Sequence, residues 1–376
     1  MPTYPRRVAN PLDGLTDAQR DAVTARRAPL LVDGVPGSGK TELLLRRVCW
    51  WREQGIEPHR PLLIARDDAA APAVTERLER LLSGPHENLS VHSVQSLCAL
   101  LIAEHAAESG VEELTPVASA GERLALLLER ADELDLRHHD FRGRPPMLFA
   151  AFVRRIDQLK ADLVDAASFA RAAAEGSDRD REFAVIYQTH ERLLRERGVL
   201  DSGGQLIACV RMLERDPQIA TQLGARQPRL LVDDWQIRPL AERALVALLA
   251  TGGAELTIAG DDSEASLSAT AATVQALAGE YPDAHLVHLN QSIRCPPSVL
   301  AAARAVTHTA LNEPTTVGSA KPIQAVFWSC TSARAGPARR CRARAADRRR
   351  GRRARPLCRA GGLDRRGGAG DRRGAR

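Results

Sequence analysis

Residues 34–41 are a glycine-rich segment that ends in a lysine and a threonine, Gly34-Val35-Pro36-Gly37-Ser38-Gly39-Lys40-Thr41. The segment fits the pattern GxxxxGK[ST] at every defined position. In such a loop the glycines let successive backbone N–H groups curl around phosphates, the lysine neutralises phosphate charge, and the threonine hydroxyl ligates Mg²⁺. The loop therefore predicts binding of a nucleoside triphosphate together with Mg²⁺.

The alternative is a glycine-rich turn that binds no ligand. Composition argues against it, because 50 of the 53 basic residues are arginines and Lys40 is one of only three lysines. A lysine at the one position where the pattern requires it is therefore not explained by composition alone. The flanking sequence also favours a ligand site. The apolar run 30–32 predicts a strand before the loop and residues 42–48 predict a helix after it, so the positive end of that helix would face the phosphates.

A pair of aspartates follows a second apolar run, in the segment Arg229-Leu230-Leu231-Val232-Asp233-Asp234-Trp235-Gln236. A phosphate loop needs a carboxylate for Mg²⁺ at the end of a neighbouring strand. Asp233 is predicted to contact the metal, largely through its water, and Asp234 to orient or deprotonate the attacking water. The alternative is that these aspartates only cap a helix, since Asp is common where a strand leads into a helix.

Short apolar runs alternate with helical patterns along most of the chain, which predicts an α/β fold with a parallel sheet and crossover helices. The stretch from about 100 to 226 is instead rich in Ala, Leu, Glu and Arg at helical spacing. We therefore predict a discontinuous α/β domain, residues 1–105 with 227–328, interrupted by a helical subdomain, residues 106–226. The predicted strands lie at 30–32, 62–65, 230–232, 256–259 and 285–289.

Charge is distributed unevenly along the sequence. Residues 331–376 contain 17 arginines and three aspartates, a net charge of +14, so residues 1–330 carry −8 of the overall +6. The segment 329–376 has almost no apolar periodicity and is predicted to be disordered. Two origins remain open: an Arg/Gly-rich segment that holds nucleic acid electrostatically, or out-of-frame translation of a GC-rich gene. We favour the second, because the structured pattern stops just after residues 326–328.

The seven cysteines form no CxxC pair and no grouping with His at zinc spacing, which favours reduced thiols. No stretch reaches the ~18 apolar residues of a membrane span, and no N-terminal run resembles a secretory signal. The expectation is a cytoplasmic protein with no membrane partner.

The order of several segments resembles that of superfamily 1 helicases of the UvrD, PcrA and Rep type, over roughly residues 12–328. The order and spacing of these segments are more specific than any one of them. They are Leu15-Thr16-Asp17-Ala18-Gln19, similar to the Q motif; Ser90-Val91-His92-Ser93-Val94, similar to TFHSF; Leu230 to Gln236, similar to LVDEFQ; Ala259-Gly260-Asp261-Asp262-Ser263-Glu264, similar to VGDxxQ; and Leu289-Asn290-Gln291-Ser292-Ile293-Arg294-Cys295, similar to LxxNYRS.

This resemblance implies a RecA-like P-loop NTPase domain that binds MgATP, with DNA as partner. It implies adenine recognition by Gln19 and a phosphate contact by Arg294. It also places Glu264 where the family has a glutamine that senses the γ-phosphate. With the phosphate loop, these residues complete the predicted site: Lys40, Asp233, Asp234 and Arg294 for catalysis, and Thr41 with Asp233 for the metal.

The departures from the family pattern concern the DNA surface and the second half of the site. Asp67 and Asp68 stand where the family has a polar and aromatic surface for single-stranded DNA, and two carboxylates repel phosphates. Residues 265–270 offer no aromatic stacking platform, and nothing after residue 328 resembles a second RecA-like domain. The degraded DNA motifs and low lysine content are also similar to the weaker motor subunit of the AdnAB helicase-nuclease, which implies a partner subunit.

The sequence is therefore interpreted in terms of three functions. The first is the N-terminal ATP-binding part of a DNA helicase acting in repair or recombination, with hydrolysis impaired in this truncated chain. The second is a non-catalytic module, or the product of a degraded helicase gene, that binds ATP and a partner helicase subunit. A small-molecule P-loop kinase is disfavoured, because the Q-motif-like and VGDxxQ-like segments have no role there.

Overall fold

The computed structural model describes a helix-rich α/β body with one parallel sheet. It describes residues 10–26, 28–83, 86, 88–109, 115–134, 136–139, 144–262, 273–299, 301–302 and 305. The chain divides into two units, Met1–Gly318 and Ser319–Arg376, and all described residues belong to the first. The segment 329–376 predicted to be disordered therefore lies outside the described residues.

Six strands form the sheet, in the order β3-β2-β4-β5-β1-β6, and every neighbouring pair is parallel. This confirms the predicted α/β class, and the arrangement is that of a RecA-like domain. Leu30 of β1 pairs with Thr257 of β5 on one side and with His285 of β6 on the other. The strands are β1 (Leu30–Gly34), β2 (Pro61–Ile64), β3 (Ser90–His92), β4 (Arg229–Val232), β5 (Glu255–Gly260) and β6 (His285–Leu289).

Thirteen α-helices lie among the described residues, several of them begun by side-chain caps. Thr16 and Ser93 each accept a hydrogen bond from the backbone three residues on, which satisfies an otherwise free N–H of the first turn. The helices are α1 (Asp17–Thr24), α2 (Lys40–Glu53), α3 (Ala70–Leu81), α4 (Val94–Glu104), α5 (Ala106–Ser109), α6 (Ala120–Glu129), α7 (Pro145–Ala161), α8 (Ala166–Ala173), α9 (Asp178–Glu196), α10 (Ser202–Arg215), α11 (Pro217–Arg226), α12 (Leu240–Thr251) and α13 (Val274–Glu280).

Both faces of the sheet are covered, as an all-parallel sheet requires. Alternate strand residues point to opposite faces: Leu62 and Leu230 pack with α4 and α10–α13, whereas Leu63 and Leu231 pack with α1–α3. Near-continuous apolar strands are therefore buried on both sides, and their carboxyl ends meet along a single edge.

A third core cluster lies among α6, α7, α8 and α9 and is built around edge-to-face aromatic pairs. Phe152 contacts Phe149 with ring centroids 5.7 Å apart, and Phe169 contacts Phe183 at 5.3 Å. Helices α10 and α11 belong instead to the core of the sheet. The boundaries 106–226 of an inserted subdomain stay a prediction, and the core clusters place residues 202–226 with the sheet.

Candidate nucleotide-binding site

The loop between β1 and α2 has the backbone that glycine allows. Gly37 and Gly39 have φ of 75° and 85°, in the left-handed region, and Gly39 is the N-cap of α2. A Cβ placed on Gly37 would lie 2.7 Å from Ser292 Oγ, and one on Gly34 would lie 2.5 Å from Ser38 Oγ. Larger residues would therefore both strain and fill the loop.

Lys40 and Ser38 carry the polar side-chain groups of the loop whose chemistry suits a polyphosphate. Lys40 begins α2, and its ammonium donates to the carbonyl of Gly34 at 2.6 Å. Ser38 is 1% exposed, and its hydroxyl has no hydrogen-bond partner among the residues the structure describes. A buried hydroxyl without a partner is costly, and a phosphate oxygen would supply the missing partner.

A hydroxyl and a carboxylate suited to a divalent cation meet where α2 approaches the end of β4. Thr41 Oγ1 donates to Asp233 Oδ2 at 2.5 Å, and Asp233 is 3% exposed. Burial, and to a smaller extent the negative charge of Asp234, raise the pKa of Asp233 to about 6, although the hydrogen bond from Thr41 acts in the opposite direction. Hard oxygen ligands of this kind fit Mg²⁺.

Asp234 is held by its neighbours rather than free to rotate. It adopts a left-handed backbone with φ of 52°, and its N–H donates to Asp233 Oδ1 at 3.0 Å. Gln236 donates to Asp234 Oδ1 at 3.2 Å, and its own Oε1 accepts the N–H of Asp261 at 3.0 Å. Gln236 thereby links the residues that follow β4 to those that follow β5.

The segment after β6 lies on the phosphate loop. Ser292 Oγ donates to the carbonyl of Pro36 at 2.8 Å, and the backbone N–H groups of Ile293 and Arg294 both donate to the carbonyl of Gly37, at 2.9 and 3.1 Å. Arg294 is exposed, with its Cβ 3.1 Å from the Cβ position of Gly37. The structure therefore brings the predicted phosphate contact Arg294 beside the loop.

Gln19 lies beneath the same loop. Its Oε1 accepts the N–H of Thr16 at 2.9 Å, its Nε2 donates to the carbonyl of Ser38 at 2.8 Å, and the residue is 2% exposed. A carboxamide has two N–H groups and two lone pairs. One of each remains for the predicted adenine contact, while the others join α1 to the loop.

Three residues of this edge were missed or could not be placed. Asp261, 3.2 Å from the Lys40 ammonium, was not predicted as a site residue, although its segment was. Arg238 gave no signal, because arginine is so abundant in the sequence. Glu264, predicted to lie at the nucleotide in place of the family's γ-phosphate-sensing glutamine, is outside the described residues, as are residues 265–270.

The two aspartates in the predicted DNA region are engaged at helix starts. Asp67 Oδ1 accepts the N–H of Ala70 at 2.8 Å, and Asp68 accepts the hydroxyl of Ser93, the N-cap of α4. These carboxylates therefore have structural partners that stabilise α3 and α4.

In the described part of the chain, no helix is both long and apolar enough to cross a membrane.

Comparison with known proteins agrees with this geometry. Residues 15–266 match the family model of the UvrD/REP helicase N-terminal domain. The chain is 30% identical over 315 residues to the ATP-dependent DNA helicase UvrD1 of Mycobacterium leprae, covering 78% of this chain and 39% of that relative. It is 25% identical over 300 residues to the ATP-dependent DNA helicase PcrA of Staphylococcus aureus, covering 78% and 40%. The chain thus spans about two fifths of the length of these relatives.

Proposed function

Since the chain belongs to the UvrD/REP helicase family, we propose that it is the ATP-binding part of a DNA helicase acting in DNA repair or recombination. The observation that carries the proposal is the meeting of Lys40, Thr41 and Asp233 at one edge of the sheet, with Thr41 and Asp233 in direct contact. These residues come from two distant parts of the sequence, and their combination serves nucleotide phosphates and a divalent cation.

The phosphates are assigned to the loop backbone from Gly34 to Gly39, the Lys40 ammonium and Arg294. Mg²⁺ is assigned to Thr41 and Asp233, where it supplies charge neutralisation for the phosphates. Adenine is assigned to the remaining N–H and lone pair of Gln19. Because Gln19 also donates to the Ser38 carbonyl, base binding and loop position would be mechanically linked.

Asp234 is assigned the task of orienting or deprotonating the attacking water. Its carboxylate follows the metal-binding Asp233 and is positioned by Gln236. We propose that hydrolysis by this chain alone is slow. A further arginine at the γ-phosphate commonly contributes a factor of about 10³ to 10⁵ in rate. Among the described residues, the cationic side chains at the loop are Lys40 and Arg294, and we assign that further role to neither of them.

DNA is proposed as the partner by family membership, with weak binding at the edge that carries Asp67 and Asp68. The segment 331–376, which lies outside the described residues, would add salt-sensitive attraction through its net charge of +14. A second subunit of a helicase-nuclease is a further proposed partner, and we propose a cytoplasmic location.

The second candidate function is a non-catalytic module that binds ATP and a partner helicase subunit. It is favoured by the carboxylates of Asp67 and Asp68, which lie at the starts of α3 and α4, where the family has a DNA-contacting surface, and which would repel DNA phosphates. ATPase turnover with and without single-stranded DNA separates the two candidates. DNA-stimulated turnover supports the motor, and ATP binding without stimulation supports the module.

The nucleotide site itself is tested by equilibrium binding of a fluorescent ATP analogue with Mg²⁺. We expect a Kd in the micromolar to millimolar range, about −8 to −4 kcal/mol, and loss of binding in Lys40→Ala. Arg80→Ala, on an exposed part of α3, is the matched control and should bind as wild type does. Equal affinity of wild type and Lys40→Ala would contradict the assignment.

A further inference from the structure

A buried arginine lies behind Asp233, the carboxylate assigned to the metal. Arg238 follows the short turn after β4 and is 2% exposed, yet its guanidinium is well supplied with acceptors. Nη2 donates to the carbonyls of Ala65 and Asp233 at 2.7 and 2.9 Å, and Nε also reaches the Asp233 carbonyl at 3.3 Å. Nη1 donates to Glu242 Oε2 at 2.9 Å.

These acceptors belong to three different elements. Ala65 directly follows β2, Asp233 directly follows β4, and Glu242 lies in the first turn of α12. The backbone is already paired at this level, because the Asp233 N–H donates to the carbonyl of Ile64 at 3.0 Å. Arg238 adds one more link between the ends of β2 and β4, because its planar guanidinium, referred to below as the fork, donates to the carbonyls of both Ala65 and Asp233.

This arrangement fixes the backbone from which the Asp233 side chain leaves the sheet. A guanidinium donates in a fixed planar geometry, so two carbonyls bound by one fork cannot move independently. The opposite end of Asp233 is its carboxylate, 2.5 Å from the Thr41 hydroxyl. Groups that orient a metal ligand in this way influence metal affinity without touching the metal.

We propose that Arg238 is a positioning residue: by holding the Asp233 carbonyl against that of Ala65, it keeps the Asp233 carboxylate beside Thr41 and so sets the affinity for the divalent cation bound with the nucleotide. The proposal rests on the proposed function, because it concerns the same nucleotide site. It assigns to Arg238 no contact with nucleotide or metal.

The test is Arg238→Met, which keeps an extended side chain and removes the fork. Binding of a fluorescent ATP analogue is measured in chelator and across a Mg²⁺ titration. We expect the affinity in chelator, which reports the phosphate loop, to stay within about twofold, and the Mg²⁺ concentration for half-maximal enhancement to rise about 10- to 100-fold.

Arg47→Met is the matched control. Arg47 is also a fully buried arginine, donating to the carbonyls of Ala22, Val23 and Ala25 and to Glu255. Glu255 begins β5, at the amino-terminal end of the strands and away from the nucleotide site. Its loss should lower the urea midpoint while leaving the Mg²⁺ requirement unchanged. Glu242→Gln removes the ion pair of Arg238 but keeps both carbonyl contacts, and should also keep the wild-type Mg²⁺ requirement.

Arg238→Lys keeps the charge and loses the fork, so it should raise the Mg²⁺ requirement even if Arg238→Met does not fold. An unchanged Mg²⁺ requirement in Arg238→Lys overturns the proposal. So does a parallel loss of binding in chelator and in Mg²⁺, which would show a general structural role. Absence of nucleotide binding by the wild-type chain would instead overturn the proposed function, and this inference with it.

Discussion

The ammonium of Lys40 lies 3.2 Å from a carboxylate oxygen of Asp261, a residue 221 positions further along the chain. Both side chains are largely buried, with 11% and 2% of their surfaces exposed. The pair joins the phosphate loop to the end of β5. Phosphate oxygens must therefore compete with Asp261 for the same cation.

Removal of this competitor is expected to strengthen phosphate binding. Asp261→Asn should bind inorganic tripolyphosphate about 3- to 10-fold more tightly, because a partly buried ion pair to Lys40 worth about 1 kcal/mol no longer has to break. Isothermal titration calorimetry in chelator measures this. Asp262→Asn is the control: its carboxylate accepts N–H groups at the start of α13, and its loss should leave the affinity unchanged. Weaker binding by Asp261→Asn would contradict this expectation.

Strain and obstruction can be separated at two left-handed glycines. Gly37→Ala and Gly55→Ala both force a side chain onto a backbone with positive φ, 75° and 84°, at a cost of about 1 kcal/mol each. Only at Gly37 does a Cβ meet Ser292, at 2.7 Å, whereas a Cβ on Gly55 meets nothing within 4 Å. Both variants should unfold at slightly lower urea concentration, and only Gly37→Ala should lose nucleotide affinity. Equal affinities in the two variants would show that the loop tolerates the added methyl group.

Metal-free stability should depend on pH through Asp233. Its pKa in the folded state, raised by burial to about 6, exceeds the ordinary value of 3.8, so the folded state holds the proton more tightly. The stabilising contribution is therefore present below about pH 4 and is lost as pH rises through 6. Between pH 4.5 and 7.5 the free energy of unfolding should fall by about 2 kcal/mol more in wild type than in Asp233→Asn. Urea unfolding in chelator checks this, and parallel pH profiles of the two proteins would refute it.

The ion cluster of the helical region should matter for stability and not for nucleotide binding. Lys160 Nζ lies 2.7 Å from both Asp201 and Glu191, and Asp201 is fully buried at the N-cap of α10. Lys160→Met leaves the buried Asp201 carboxylate without this cation, so it should destabilise the protein by about 3 kcal/mol or more. Arg192→Met, which breaks exposed pairs, should cost less than about 1 kcal/mol. Urea unfolding and nucleotide titration of both variants provide the test.

The apolar runs in the sequence predicted β1, β2, β4, β5 and the edge strand β6, because strands of a covered parallel sheet are largely apolar segments. Strand β3 was not predicted, since Ser90–His92 is three residues long and only half-buried at the sheet edge. The loop and Asp233 were recognisable because their chemistry requires particular residue types. The contacts of Lys40 with Asp261 and of Arg238 with Ala65 were not, because they depend on which strands lie side by side, and local patterns carry no information on strand order.

The position of β4 next to β2 has a kinetic consequence. These two strands pair residue for residue, yet about 160 residues, including strand β3 and helices α3–α11, separate them in the sequence. Closing so long a connection costs entropy that pairing recovers only at the end. Local contacts within α6–α9 form without that cost, so we expect amide protection to appear there first in pulse-labelled refolding. The β2–β4 ladder and the β1–β5 ladder, whose partners lie still further apart in the sequence, should be protected last. The nucleotide site would then be among the final parts of the molecule to form, since Thr41 can reach Asp233 only when the middle of the sheet has closed.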